Sequence, residues 1–181
     1  MEKENQVLSD IETLLDRMGD EYAKKKKAEI EKWGDIELRL SKIKEYAIEQ
    51  SKAALMRNEN KECLYKAIEL VVNVTVGGRT NGVLGVEEAV VNYSEQPDAI
   101  EIAKDVMWAV ADGIEKEVLV GEASEKYWAL QPTGHEAMAL YFYIKGAVMI
   151  QKGEMSTDKK EALKALLPIE LYQEFEKDIK R

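Results

Sequence analysis

Apolar residues recur at steps of three and four positions along almost the whole chain, and this spacing places them on one face of an α-helix. The clearest stretch follows Pro97. Its apolar positions are Ile100, Ala103, Val106, Met107, Val110, Ile114 and Val118. The chain has only three prolines, and its abundant Glu, Lys, Ala and Leu favour helices. The sequence therefore predicts an all-α protein built as a helical bundle.

One segment departs from the helical pattern. Residues 70–76 read LVVNVTV, in which valines alternate with Asn73 and Thr75 as they do in strands. A strand needs a neighbour to satisfy its backbone hydrogen bonds, and the sequence offers no second candidate. The segment is therefore predicted to be helical, with a strand as the alternative.

The first 57 residues carry two amphipathic stripes, separated by a break at Gly34 where Asp35 is the predicted N-cap of the second helix. The first stripe comprises Val7, Ile11, Leu14, Leu15, Met18 and Tyr22, and the second comprises Ile36, Leu40, Ile43, Ala47 and Leu55. Charged residues dominate the other faces. We expect residues 1–57 to form a helical hairpin or a coiled-coil arm, and residues 58–181 to form a separate helical domain.

The segment 135–152 is apolar on nearly every side, which predicts the most buried helix of the protein. A QPTG turn precedes this helix, and Gly153 ends it. Three further helix starts are marked by Pro97–Asp98, by Ser156 or Thr157, and by Pro168.

The charge balance argues against nucleic acid as a partner. The net charge is −9, whereas a phosphate backbone requires a concentrated basic face. The one basic run, Lys24–Lys27, lies among acidic residues and is interpreted as a solvated helix face. No apolar run approaches the length of a membrane span, and the charged start MEKENQ is unlike a signal peptide. We expect a soluble, cytoplasmic protein.

Motifs for catalysis or metal binding are lacking in the sequence. The single cysteine, Cys63, excludes an internal disulfide and is predicted to be a half-buried thiol. The single histidine, His135, has no second histidine at metalloprotease spacing and is predicted to be exposed or in a capping turn. We expect no enzymatic activity, no cofactor and no metal, although a site made of carboxylates alone stays open.

A short charged segment interrupts the helix-forming sequence near its middle. Residues 77–90 read GGRTNGVLGVEEAV, with Arg79 eight positions before Glu87 and four glycines in the segment. Glycine lowers helix stability. One interpretation is a loop that enters a helix, with Glu87 in its first turn. The other is a docking surface on a helix that has opposite charges at its two ends.

This segment resembles the flagellar stator A subunit, the MotA family related to the TolQ and ExbB proton-channel proteins. That family has an Arg, a Gly three positions later, a hydrophobic pair, and a Glu eight positions after the Arg. The matching residues here are Arg79, Gly82, Val83–Leu84 and Glu87, without a gap.

A second segment, Ile144–Pro168, is similar to the stretch that follows the last membrane helix of that family. The positions that keep the family's spacing are Gly146, Ile150, Gln151, Gly153, Glu154, Leu163, Leu167 and Pro168. Between the two segments, VMWAVADG (106–113) resembles a family helix that ends in Asp-Gly. The resemblance covers roughly residues 66 to 170.

The four membrane helices of the family are absent from this sequence, and Met155–Ser156 replaces its Asn-Pro. Proton conduction is therefore not implied. The resemblance implies a protein-docking surface at Arg79, Gly82 and Glu87, with Glu88 beside them, and a rotor-type switch protein as the partner. The alternative is a structural assembly protein that forms homo-oligomers through its N-terminal helices.

Overall fold

The computed structural model describes residues 34–179, together with residues 21, 24 and 25, and side chains up to residue 175. The chain divides into two compact units, Met1–Gly34 and Asp35–Arg181. Residues 34–179 contain eight α-helices and no strand. These are α1 (Ile36–Met56), α2 (Glu62–Asn81), α3 (Val83–Ser94), α4 (Glu101–Ala111), α5 (Lys116–Leu130), α6 (Gly134–Gln151), α7 (Lys159–Leu166) and α8 (Ile169–Ile179). The prediction of an all-α helical bundle is confirmed.

The β-branched segment 70–76 is helical, as predicted, and lies within α2. Val71 and Val74 are completely buried, and the Thr75 hydroxyl donates to the carbonyl of Val71 at 2.7 Å. Burial of the valine side chains stabilises α2 by more than their weak helix propensity costs.

Helix α1 belongs to the compact unit that starts at Asp35. The Asp35 carboxylate accepts hydrogen bonds from the backbone N–H groups of Glu37 (2.9 Å) and Leu38 (3.3 Å), so the predicted N-cap is confirmed. The apolar stripe of α1 packs mainly on α6 and also on α5. Its buried apolar residues are Ile36, Leu40, Ile43, Ala47 and Ala54. The stripe proposed for a coiled coil is therefore covered within the unit, whereas the stripe of residues 7–22 lies outside the described residues.

Helix α6 forms the centre of the bundle, and the prediction of a buried helix is confirmed. Its residues from Ala137 to Ile144 are all buried, and it contacts α1, α2, α4, α5 and α7. A Cβ at Gly146 would lie 2.7 Å from a methyl carbon of Val71, so the missing side chain lets α6 approach α2 closely.

Several helix boundaries differ from the predictions. The stripe from residue 100 to 118 belongs to two helices, because the chain turns at Gly113 with a φ of +66° between α4 and α5. Asp98 does not cap α4, because Ile100 occupies the N-cap position. The Asp98 carboxylate instead forms an ion pair with Lys66.

Helix α7 is capped by Asp158, whose carboxylate accepts from the N–H of Glu161 at 3.0 Å, and not by Ser156 or Thr157. Gly153 and Pro168 lie next to helix ends as predicted.

An aromatic cluster joins α1 to α5. The Trp128 ring is 5.3 Å, centroid to centroid, from the rings of both Tyr46 and Tyr127, and both contacts are edge-on. The Tyr46 hydroxyl also donates to the carbonyl of Pro132 at 3.0 Å.

Within residues 34–179, no helix combines the length and the apolar character that crossing a membrane requires.

Candidate docking surface on the α2–α3 hairpin

Helices α2 and α3 form a hairpin with a one-residue connection. Helix α2 ends at Asn81, α3 begins at Val83, and Gly82 between them has φ +62° and ψ −142°. This backbone conformation is accessible almost only to glycine. The turn is therefore tight, and we call residues 79–88 the hairpin tip.

The other glycines of the segment let the two helices touch. A Cβ at Gly77 would lie 2.2 Å from the carbonyl oxygen of Gly85, and a Cβ at Gly85 would lie 2.2 Å from that of Gly77. No side chain larger than hydrogen fits at either position. Gly77 and Gly78 are part of α2, so the prediction of a loop that enters a helix is wrong. Close packing against α3 compensates for the low helix propensity of these glycines.

Arg79 and Glu87 lie on different helices, so the interpretation as one helix with opposite charges at its ends is also wrong. Arg79 is in the last turn of α2. Its guanidinium donates a 2.6 Å hydrogen bond from Nη2 to the carbonyl of Met155, which follows α6. Glu87 lies beyond the first turn of α3 and is half-buried.

The remaining predicted residues also lie at the tip. Gly82 is the turn residue, and Glu88 is exposed and faces the groove between α2 and α3. Among the residues that the structure describes, neither Glu87 nor Glu88 has an ion-pair partner. The tip thus combines an arginine whose guanidinium donates to a carbonyl with two carboxylates that form no ion pair with a described residue.

Two large apolar side chains are exposed in the first turn of α3. Val83 is 56% exposed and Leu84 is 73% exposed. Both follow Gly82 directly, so the turn presents them at the end of the hairpin. A partner protein could cover them together with the charged residues of the tip.

A groove of about 380 Å³ lies between α2 and α3. Gly77 and Gly85 both line it, and its lining is mainly polar. The lining residues are Lys66, Glu69, Leu70, Asn73, Val76, Gly77, Asn81, Gly85, Glu88, Ala89, Asn92, Tyr93 and Gln96. The sequence prediction included only Glu88 of these. Polar residues at four-residue spacing, as at Glu69 and Asn73, are the signal that could have revealed the groove.

A smaller cavity of about 190 Å³ shares Lys66 and Tyr93 with the groove. Tyr93 accepts a 3.0 Å hydrogen bond from the N–H of Ile100, and its hydroxyl lies 3.2 Å from that of Tyr143. Burial raises the pKa of Tyr143, and the hydrogen bond with Tyr93 acts in the same direction. The Tyr143 phenol is therefore neutral at physiological pH.

Cys63 lines this cavity and is half-buried, as predicted. Burial raises the pKa of its thiol, and the charges of Glu136 and Glu62 add to this effect. The thiol is therefore protonated at neutral pH, which disfavours nucleophilic chemistry.

His135 was predicted to be exposed or in a capping turn, and the exposed alternative is wrong because the residue is buried. It is 2% exposed in the first turn of α6, and its Nδ1 lies 3.0 Å from the hydroxyl of Ser51 on α1. Its ring packs edge-on against Phe175 of α8, and its buried Nε2 has no hydrogen-bond partner among the described residues. Burial lowers the pKa of His135, although the charge of Glu59 opposes this effect. We expect a neutral imidazole at pH 7.

Among the described residues, no group of three or more His, Cys, Asp or Glu side chains could hold a metal ion. Neither a protein-family model, nor a curated protein, nor a solved structure matches this chain.

Proposed function

We propose that this chain is a non-enzymatic, cytoplasmic docking protein that binds a partner protein through the hairpin tip. The observation that carries the proposal is the exposure of Val83 and Leu84 directly after the Gly82 turn. Adjacent exposed apolar side chains with charged residues around them are typical of protein–protein interaction sites. These two lie at the end of a hairpin whose helices touch at Gly77 and Gly85.

The apolar and charged residues of the tip would have different roles in binding. Burial of the Leu84 side chain would contribute about 2 kcal/mol. The charges of Arg79, Glu87 and Glu88 would contribute less affinity, because exposed ion pairs are weak, and more orientation and association rate. The partner surface should therefore have an apolar centre, an acidic group opposite Arg79 and basic groups opposite the two glutamates.

The resemblance of Arg79, Gly82 and Glu87 to the stator A motif suggests which partner to test. In that family, the corresponding charged residues engage oppositely charged residues on the switch protein of the rotor. A rotor-type switch protein is therefore the partner that we propose for this chain.

Calorimetry with the purified full-length chain and the rotor switch protein of the same host tests this function. We expect saturable binding that weakens at least tenfold for the double variant Val83→Ser/Leu84→Ser, because the apolar centre is lost. Glu87→Lys should also weaken binding, and a compensating Lys→Glu change on the partner should restore it. The matched control is Leu130→Ser, which changes a leucine that is 60% exposed at the end of α5.

The test of Arg79 requires a conservative substitution, since its guanidinium also donates a hydrogen bond to the carbonyl of Met155. Arg79→Gln removes the charge and keeps a donor for that carbonyl. Helicity and thermal melting should stay unchanged in all these variants. Equal affinity of the wild type, the Val83/Leu84 variant and Glu87→Lys would refute the docking role of the tip. Absence of any binding would exclude the rotor switch protein as the partner.

A further inference from the structure

The groove between α2 and α3 contains polar side chains without intramolecular partners. Asn73, Asn81, Glu88, Asn92 and Gln96 all line it and are exposed. None of them has a side-chain hydrogen bond or an ion pair with another described residue. The amide groups can each donate and accept at the same time. These side chains can therefore form hydrogen bonds with a ligand that also offers both donors and acceptors.

The spacing of these side chains follows a regular row on each helix. On α2 the row is Glu69, Asn73, Gly77 and Asn81, and on α3 it is Glu88 and Asn92, with Gln96 just after the helix. Four residues of a helix rise about 6 Å. Two residues of an extended chain span about 6.6 Å. Side chains four positions apart can therefore reach every second peptide group of an extended chain.

The floor of the groove allows a backbone to approach. Gly77 and Gly85 line the groove and contribute only backbone atoms to it, and the volume of about 380 Å³ lies within the range of ligand sites. The row of α2 from Lys66 to Asn81 covers 15 residue steps, or about 22 Å. An extended segment of about six or seven residues matches this length.

Other ligand classes fit the groove less well. A docked helix requires apolar anchors at successive turns, and the lining offers only Leu70, Val76 and Ala89 besides Tyr93. An anion would meet Glu69 and Glu88, while the ammonium of Lys66 is already paired with Glu62 and Asp98. Glu69 lies 3.4 Å from Lys159, so Glu88 is the carboxylate without an ion pair.

We propose that this groove binds an extended peptide segment of a partner protein. The amides of Asn73, Asn92 and Gln96 pair with alternate peptide groups, and Glu88 attracts a basic side chain of the segment. The groove shares Asn81, Gly85 and Glu88 with the hairpin tip, but the exposed apolar residues Val83 and Leu84 do not line it. The inference therefore goes beyond the function proposed above and does not depend on it.

A phage-displayed library of random dodecapeptides provides the probe. Phage are depleted on the variant Asn73→Ala/Asn92→Ala and then selected on the full-length wild-type chain. We expect enriched peptides that contain Lys or Arg. The strongest one, labelled with fluorescein, should bind the double variant at least tenfold more weakly in fluorescence anisotropy. Gln173→Ala, a change of an exposed polar residue on α8, should leave its affinity unchanged.

Methylation of the peptide nitrogens distinguishes backbone recognition from side-chain recognition. A single N-methyl group at alternate positions should weaken binding at least tenfold, while the positions between them tolerate it. Glu88→Gln should weaken only peptides that contain a basic residue. Val83→Ser should leave peptide affinity unchanged even where it weakens binding to the rotor switch protein, so the two proposals fail separately. Failure to enrich any peptide after depletion, or equal tolerance of methylation at every position, would overturn the proposal.

Discussion

His135 illustrates how the role of a residue depends on neighbours that are distant in the sequence. Its local sequence, a histidine after a glycine at a helix start, is compatible with exposure. Its burial arises because Ser51 of α1 and Phe175 of α8 pack on the same ring. The sequence around His135 does not reveal these two contacts. The sequence did predict that Asp35 is an N-cap, because its capping partners lie within three residues of it.

The buried imidazole of His135 predicts that stability falls as the pH is lowered. The pKa of His135 is lowered in the folded protein, whereas an unfolded histidine titrates near 6.5. Below about pH 6.5 the unfolded state therefore binds a proton that the folded state does not, and the free energy of unfolding decreases by up to about 1.4 kcal/mol per pH unit. Urea unfolding at pH 7.5, 6.5 and 5.5 measures this slope.

The variant His135→Asn isolates this effect, since the chain has no other histidine. Asparagine is smaller, so we expect lower stability at every pH, together with a flatter dependence between pH 5.5 and 7.5. A slope equal to that of the wild type would show that other groups cause the pH dependence.

At the scale of helices, the periodicity of apolar residues was sufficient to identify most elements but not all boundaries. The pattern located the buried segment of α6, because its own residues are apolar on every side. It placed a break at Gly77 and Gly78, which are in fact helical. Propensity alone disfavours glycine in a helix, and only the contact with Gly85 on the next helix explains its presence.

This contact predicts different effects on stability for alanine at Gly85 and at Gly78. Gly85→Ala would place its Cβ 2.2 Å from the carbonyl oxygen of Gly77, so we expect the free energy of unfolding to decrease by about 3 kcal/mol through overpacking. In Gly78→Ala the nearest atom is a methyl carbon of Val86 at 3.2 Å. A small shift of that side chain, together with a gain of about 1 kcal/mol in helix propensity, should leave stability almost unchanged.

Chemical denaturation of both variants measures the difference. Similar stability losses for Gly78→Ala and Gly85→Ala would argue against close contact between the two helices.

At the scale of the molecule, the all-α class followed from the sequence, whereas the packing of α1 did not. The apolar stripe of α1 was equally compatible with an arm and with a place in the main bundle, because an amphipathic face does not identify its partner. The structure places Ile36, Leu40 and Ile43 in the core. The proposed docking residues were predicted from the resemblance to a motif, and the groove beside them was missed because it depends on how α2 and α3 pair.

The position of α1 predicts different outcomes for two truncations. A chain that starts at residue 34 keeps the whole compact unit from Asp35 onward, and we expect one cooperative thermal transition. A chain that starts at residue 58 loses α1. Burial of its large aliphatic side chains contributes about 2 kcal/mol each, which together approaches the net stability of a typical domain.

Circular dichroism and thermal melting of the two truncated chains provide the measurement. We expect the shorter chain to retain some helix but to lose the cooperative transition. Cooperative unfolding of the shorter chain at the wild-type midpoint would contradict the assignment of α1 to the core.

The aromatic cluster between α1 and α5 gives the molecule an internal optical reporter. Tyr46 and Tyr127 lie so close to the indole of Trp128 that light absorbed by either phenol is transferred to the indole and emitted at its longer wavelength. Tyr127 stays beside Trp128 on α5, whereas Tyr46 leaves with α1. Emission from Tyr46 therefore reappears when α1 separates from α5, and this undocking can be followed without any label.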